Sequence, residues 1–311
     1  MTPAERKGLW LGFVGVAIFA LTLPMTRLAV GTPEAPLMSG VFIALGRAVV
    51  AAALSALFLL ATRAPLPGRG DWWPLAVTSA GVVFGFPLFT SVAMRYVEAV
   101  HASVIVGVLP LATALVGALL HRQRPSAGFW ACAALGSMLV VAFALLRGGG
   151  GGLRLHPADL LLLAGMASAA VGYAYGARLS QHMRAEHVIC WALVIALPLT
   201  LPLAAWARPL QAMPASAWGG FAYVAVFSMW IGFFAWYRGL ALGGTVRVSQ
   251  VQLVQPFMSM LFAVPLLGER LDILTLGFAL AVIATVFAGR RMPVRGAAPA
   301  APLVPAAVEP R

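Results

Sequence analysis

Residues 109–126 read LPLATALVGALLHRQRPS and residues 255–272 read QPFMSMLFAVPLLGERLD, and the two stretches align without a gap. Pro110 then meets Pro256, a shift of 256 − 110 = 146 positions. The same shift pairs Ser103 with Ser249, Thr113 with Ser259, Gln123 with Glu269 and Arg124 with Arg270. Proline and polar positions that recur in register indicate an internal duplication.

The composition places the duplicated unit in a lipid bilayer. Hydrophobic residues make up 61% of the chain, charged residues only 10%, and the mean hydropathy is +0.93, whereas a soluble domain is about one quarter charged. Since a hydrocarbon core about 30 Å thick needs roughly 20 apolar residues per helix, the apolar runs predict an all-α membrane protein with ten transmembrane helices. The predicted spans are 8–30, 37–61, 72–94, 97–120, 127–146, 157–178, 187–206, 216–237, 243–267 and 271–289.

Basic residues at the span ends predict the orientation. The first run is too long for a signal peptide, so it is kept as a span. Thirteen basic residues then fall on the side of the N-terminus and six on the opposite side, which favours cytoplasmic N- and C-termini in a bacterial inner membrane. The net charge of +12 is therefore a topology signal, and no compact basic domain suggests nucleic-acid binding.

A glycine-rich segment divides the spans into five and five. We assign 1–146 to the first five-helix repeat, 147–156 to the linker, 157–290 to the second repeat and 291–311 to a disordered Pro/Ala-rich tail. Because five is odd, the second repeat must enter the membrane from the opposite side, which predicts inverted repeats.

Short motifs in both halves resemble the EamA-type members of the drug/metabolite transporter superfamily. LTLPMTRLAV in span 1, ALGRAVVAA in span 2 and LLGERLD at 266–272 are similar to that family, whereas LLHRQRPS at 119–126 departs from it because it lacks the glycine and the glutamate. The resemblance implies a substrate cavity between the halves that is reached alternately from each side. It also implies amino acids, other small metabolites or drugs as substrates.

Arg47 is the most informative single residue. Ten residues from the start of span 2 place it about 15 Å deep, near the middle of the bilayer, where an arginine costs on the order of 2.5–3.5 kcal/mol on insertion scales. It should therefore face the bundle interior or water. Two roles stay open: a structural arginine satisfied by carbonyls or a carboxylate, and a fork that binds a substrate carboxylate.

A polar stripe on span 9 forms the second candidate site. Ser249, Gln252, Gln255 and Ser259 follow one another at steps of three, three and four residues, so they share one helix face. Pro256 removes a backbone hydrogen bond and is a candidate hinge, with Pro110 as its counterpart. Ser103 and Thr113 repeat the polar positions in the first half. The alternative to a water-facing substrate site is polar contact between packed helices.

Three further assignments complete the candidate site. Trp230 and Tyr173 are candidates for packing against the substrate, and Glu98 and His101 for a titrating pair, with a wet interfacial pair as the alternative. The scattered histidines, with Cys132 and Cys190 inside predicted spans, give no metal or cofactor site.

Of three functional classes, a secondary transporter explains most of the sequence. It accounts for the duplication, the paired prolines and Arg47 together, and we predict an exporter of small organic metabolites that works by alternating access. A passive channel or facilitator is the alternative. An enzyme lacks support, because HExxH, GxSxG and paired mid-membrane carboxylates are absent from the sequence. The expected partners are a small-molecule substrate and the lipid bilayer, and a homodimer stays open.

Overall fold

A computed structural model of the chain describes residues 2–96, 102, 106–147, 157–267, 273–289 and 291–295. These residues are almost entirely helical. The first half contains the helices α1 (Pro3–Ala20), α2 (Thr22–Val30), α3 (Gly40–Ala61), α4 (Trp72–Ser79), α5 (Phe86–Ala93), α6 (Leu109–Leu120) and α7 (Ala127–Arg147). The second half contains α8 (Pro157–Leu179), α9 (Ala185–Trp206), α10 (Ala215–Tyr223), α11 (Gly232–Gly243), α12 (Thr245–Ser249), α13 (Gln255–Leu267) and α14 (Ile273–Gly289).

Six helical stretches are long and apolar enough to cross a membrane. They are Pro3–Val30, Gly40–Ala61, Trp72–Ala93, Pro157–Leu179, Ala185–Trp206 and Ala215–Gly243. Shorter apolar helices occupy Leu109–Leu120, Ala127–Phe143 and Leu276–Gly289. The all-α fold is thus confirmed. The full count of ten spans stays a prediction, since the other four predicted spans coincide with shorter, interrupted or incompletely described helices.

Several spans are locally irregular. A π-helical segment, Ala80–Gly85, joins α4 to α5, and another, Val224–Ile231, joins α10 to α11. The two segments end at positions related by the shift found in the sequence, 231 − 85 = 146. Because π-turns inside helices are frequent at functional sites, the region around these two segments is a candidate functional site.

Close glycine contacts hold spans of the two halves together. A Cβ atom on Gly8 of α1 would lie 2.4 Å from the backbone nitrogen of Gly243 in α11. Similarly, a Cβ atom on Gly81 would lie 2.8 Å from Cα of Gly172 in α8. Gly81 and Gly172 belong to the GVVFG and GYAYG patterns, so these small-residue motifs allow helix backbones to touch.

Part of the predicted disordered tail belongs to the fold. Val294–Arg295 forms a two-residue antiparallel pairing with Arg124–Pro125, which precedes α7. The side chain of Met292 also lies against Gly128 in α7. Residues 294–295 of the predicted tail thus have a strand partner, and residues 296–311 lie outside the described residues.

Ion pairs join the two halves at the end of the bundle that carries the N-terminus. Arg247, in α12, approaches Glu5 of α1 with Nη1 2.6 Å from Oε1. His182, after α8, lies with Nε2 2.9 Å from Oδ1 of Asp71. Each pair connects a residue before the linker to a residue after it, so this end is closed by contacts between the halves.

Candidate functional site

A small cavity lies where the irregular spans meet. Its walls are formed by Phe19, Thr22, Leu23, Arg47, Val82, Phe86, Val106, Leu109, Tyr173, Ser228, Phe233 and Gln255. The cavity volume is about 20 Å³, which is room for a water molecule and far less than the hundreds of Å³ of a typical ligand pocket. The site is therefore contracted in this conformation.

Arg47 supplies positive charge to this cavity. The residue is 2% exposed, and its Nε has no hydrogen-bond partner. None of the ion pairs found among the described residues includes it. A buried charge without a paired carboxylate is costly, so the guanidinium has unused capacity for an anionic group.

Tyr173 lies beside Arg47 on the opposite half of the molecule. It is 4% exposed, and the two side chains are close enough to interact electrostatically. Its ring packs at 5.4 Å from Trp236 and 6.1 Å from Phe233 between ring centroids. These neighbours fix the ring, so Tyr173 presents a rigid wall to the cavity.

A hydrogen bond between two hydroxyls crosses the site. Thr22 Oγ1 and Ser228 Oγ are 2.8 Å apart and buried. Thr22 begins α2, directly after the break between α1 and α2 at Leu21, and Ser228 lies in the second π-helical segment. Neither residue was predicted from the sequence, because an isolated hydroxyl in an apolar helix usually bonds to its own backbone and produces no recognisable sequence pattern.

The predicted polar stripe is buried but is not one regular helix. Ser249 ends α12, a 3-10 turn covers Gln250–Val254, and Gln255 begins α13. The hydroxyl of Ser249 donates to a carbonyl of its own helix, and that of Ser259 donates to a carbonyl at the end of α1. Of the four stripe residues, Gln255 reaches the cavity, whereas both amide atoms of Gln252 are buried without a partner.

The two candidate hinge prolines occupy equivalent places. Pro110 is the second residue of α6, and Pro256 is the second residue of α13. A proline in the first helical turn costs no intrahelical hydrogen bond, so neither proline breaks the helix in which it lies. The irregular backbone instead precedes Pro256, as the 3-10 turn.

The remaining predicted site residues lie apart from the cavity walls. Thr113 is fully buried on α6, and its hydroxyl has no partner. Trp230 donates from Nε1 to Sγ of Cys190 at 3.4 Å and packs against Phe58 and Phe234. Three predicted residues, Ser103, Glu98 and His101, lie outside the described residues.

Two pairs of cavity residues are related by the duplication. Val82 and Ser228 differ by 228 − 82 = 146 positions, and Leu109 and Gln255 differ by 255 − 109 = 146. Both members of each pair line the same cavity. Equivalent positions that converge on one point are what a pseudo-two-fold relation between the halves produces.

The described residues contain no group of three or more His, Cys, Asp or Glu side chains that could hold a metal ion. The cavity combines one cation, one phenol, one amide and two hydroxyls with apolar walls. This set of groups can bind an anionic or zwitterionic organic molecule through hydrogen bonds and charge.

Comparisons with known proteins give the family of the chain. The sequence profile of the EamA-like transporter family matches the chain twice, at residues 6–146 and 156–289. The uncharacterized transporter YdeK of Bacillus subtilis (strain 168) is 44% identical over 285 residues, which are 91% of this chain and 96% of that protein.

A protein of known crystal structure aligns with 91% of this chain and with 97% of its own chain, with a TM-score of 0.70 and 20% sequence identity. It is similar in fold. The double match and the 44% identical relative show that the chain is an integral membrane transporter and that it belongs to the EamA-like transporter family.

Proposed function

We propose that this protein is a secondary transporter that moves small organic metabolites across the bacterial inner membrane, as an exporter. Its substrates would be amino acids or related compounds and drugs that carry an anionic or zwitterionic group. The observation that carries the proposal is Arg47, a buried cation without a carboxylate partner in the wall of a cavity shared by both halves.

Burial of the positive charge of Arg47 costs free energy. A central arginine costs roughly 2.5–3.5 kcal/mol on insertion scales, and no ion pair among the described residues offsets this cost at Arg47. A substrate carboxylate would accept hydrogen bonds from the planar guanidinium in the bidentate geometry that arginine favours. Binding would thus satisfy a group that the empty protein leaves unsatisfied.

The small cavity favours a carrier over a channel. A volume of about 20 Å³ cannot hold an organic metabolite, so the site must expand during transport. A conducting channel needs a continuous path, whereas alternating access passes through states in which the central site is closed. A passive channel or facilitator remains the second candidate.

We assign roles to the predicted residues within this proposal. Gln255 would orient the substrate together with hydroxyls and amides that become exposed as the site expands: Ser249, Gln252, Ser259, Ser103 and Thr113. Tyr173 and Trp230 would pack on its apolar part. Pro110 and Pro256 would be the hinges, and Glu98 and His101 a proton-coupling pair. Both termini would be cytoplasmic, and a homodimer is compatible with these roles.

Counterflow in proteoliposomes tests the carrier proposal. Vesicles loaded with an unlabelled amino acid or anionic drug should accumulate the labelled compound transiently above its external concentration, because a carrier exchanges the two through one site. A flux that stays proportional to concentration and shows no overshoot would support the channel instead. Empty liposomes provide the background.

A further inference from the structure

His121 joins the two halves at the end of the bundle that carries Glu5. It follows the last residue of α6 and is partly buried. Its Nε2 lies 3.4 Å from Oγ1 of Thr245, the first residue of α12, and its ring also interacts with the carbonyl oxygen of Ala174 in α8. A first-half side chain therefore contacts two helices of the second half.

The contact of α6 with α12 and with the 3-10 turn Gln250–Val254 forms a seam between His121 and the cavity. Leu109, in the cavity wall, is twelve residues before His121, which is about 18 Å along a helix. A Cβ atom on Gly117 would lie 2.8 Å from Cγ2 of Thr245, so the two helices are in close contact there. Opening this end of the cavity requires α6 to separate from α12.

Polar groups inside the seam have no partner while it is closed. Thr113 lies one turn from Gly117 on the same face of α6, and its hydroxyl is unpaired. Both amide atoms of Gln252, in the 3-10 turn that packs against α6, are also unpaired. Burying a polar group without a hydrogen-bond partner costs free energy. Hydration of these groups would favour the open seam, so only a modest additional free energy is needed to open it.

The charges around His121 disfavour its protonated form in the closed seam. Burial lowers the pKa of His121, the nearby Arg178 lowers it further, and the Ala174 carbonyl raises it. The described carboxylates at this end are engaged by other side chains: Glu5 by Arg247, Asp71 by His182 and Glu186 by Arg238. They are thus paired elsewhere, and the imidazolium would have to form beside a like charge.

We propose that His121 binds the proton that opens this end of the transporter. This inference rests on the proposed alternating access and adds a residue distinct from Glu98 and His101. In the open seam the ring is hydrated and has its ordinary pKa of about 6.5. Because protonation favours the state with the higher pKa, the closed seam keeps its stability above about pH 6.5 and loses it as the pH falls.

Cysteine labelling tests this proposal without any substrate. In a variant whose Cys132 and Cys190 are replaced by alanine, Thr113→Cys reports the opening of the seam, and the exposed Gln181→Cys corrects for the pH dependence of the reagent. A polar maleimide is added to both sides of proteoliposomes. We expect the ratio of the two labelling rates to rise by up to about tenfold in total between pH 7.5 and 5.5, with most of the rise below pH 6.5, because a single proton couples to opening only below the pKa of the open state.

Matched variants identify the titrating group. His121→Gln keeps hydrogen-bonding capacity but cannot titrate, so its ratio should not change with pH. His182→Gln, a change in another histidine at this end, should keep the response. Thr245→Val removes the hydroxyl that contacts His121, so the labelling ratio should be higher at pH 7.5 and should still change with pH. If it does, loss of this contact alone does not abolish the pH response, and a flat ratio in His121→Gln reports the loss of the titrating group. A flat ratio in the parent protein, or an equal rise in His121→Gln, would overturn the proposal. A pH-dependent ratio in a protein that shows no counterflow would reject the transport proposal alone.

Discussion

The first half of the chain places Val82 and Leu109 against the cavity at the positions where the second half places Ser228 and Gln255. The positive charge, in contrast, comes from the first half. Arg47 lies in the first half, and the position 146 residues later is Leu193, which is fully buried. In each of these pairs of positions, one half has an apolar side chain and the other has a polar or charged one.

This difference shows how a duplicated architecture acquires a directional site. The halves share the backbone features that shape the cavity, such as the π-helical segments that end at Gly85 and Ile231. Their side chains have diverged, so the charge comes from the first half and three of the four uncharged hydrogen-bonding groups, Tyr173, Ser228 and Gln255, come from the second. A zwitterionic or anionic substrate would therefore bind in a single orientation, with its carboxylate toward Arg47.

The largest expected effect comes from removing the charge that distinguishes the halves. Arg47→Leu replaces the guanidinium by an apolar side chain. A hydrogen bond to a charged group contributes about 1.5–3 kcal/mol, so we expect counterflow to fall by about 10- to 100-fold. Thermal stability should stay the same or rise, because replacing an unpaired buried charge by an apolar side chain removes its desolvation cost.

The stability measurement separates the two roles of Arg47. If the arginine were a structural residue, Arg47→Leu would lower both the melting temperature and the transport. Leu193→Met is the matched control, since it changes a fully buried position in the second half with little change in volume. It should leave transport and melting temperature nearly unchanged.

A smaller effect is expected when the amide is removed from the second half. Gln255→Leu makes this position identical to Leu109. The loss of one neutral hydrogen bond costs about 1 kcal/mol, so the KM for an anionic or zwitterionic substrate should rise by about fivefold with little change in the maximal rate. Leu109→Met is the control. Unchanged KM in Gln255→Leu would show that the amide does not contact the substrate and would leave binding to Arg47 and the hydroxyl groups of the cavity wall.

The sequence predicted those features that produce a regular pattern or a large energetic penalty. Apolar runs predicted the six clear spans, and the paired prolines predicted the duplication. Arg47 stood out because a charge is rare in an apolar run. Gln255 was found through its spacing along the helix and Tyr173 as a candidate aromatic, and all three lie in the cavity wall.

The features that the sequence did not predict depend on tertiary contacts. Nothing in the apolar run at Val224–Ile231 indicates a π-helix, since the extra residue per turn depends on packing. The prolines were expected within helices, but Pro110 and Pro256 lie in first turns, because backbone breaks upstream determine where each helix begins. Ser249 and Ser259 share the predicted face, yet both donate to backbone carbonyls.

The smallest effect concerns the hydrogen bond that crosses between the halves. Thr22→Val and Ser228→Ala each remove one hydroxyl of the 2.8 Å contact, and Ser228→Ala also makes the second half apolar at the position of Val82. Such contacts inside membrane proteins average about 0.6 kcal/mol and reach about 1.7 kcal/mol. A double-mutant cycle measured by unfolding in mixed micelles should therefore give a coupling energy in that range.

Thr90→Val is a control, because its hydroxyl bonds to a carbonyl one turn earlier in its own span. Its effect should therefore add to that of Ser228→Ala without coupling. Coupling near zero between Thr22 and Ser228 would mean that the two hydroxyls are held together by helix packing alone, and the polar character of the second half would then serve the substrate rather than the closure of the site.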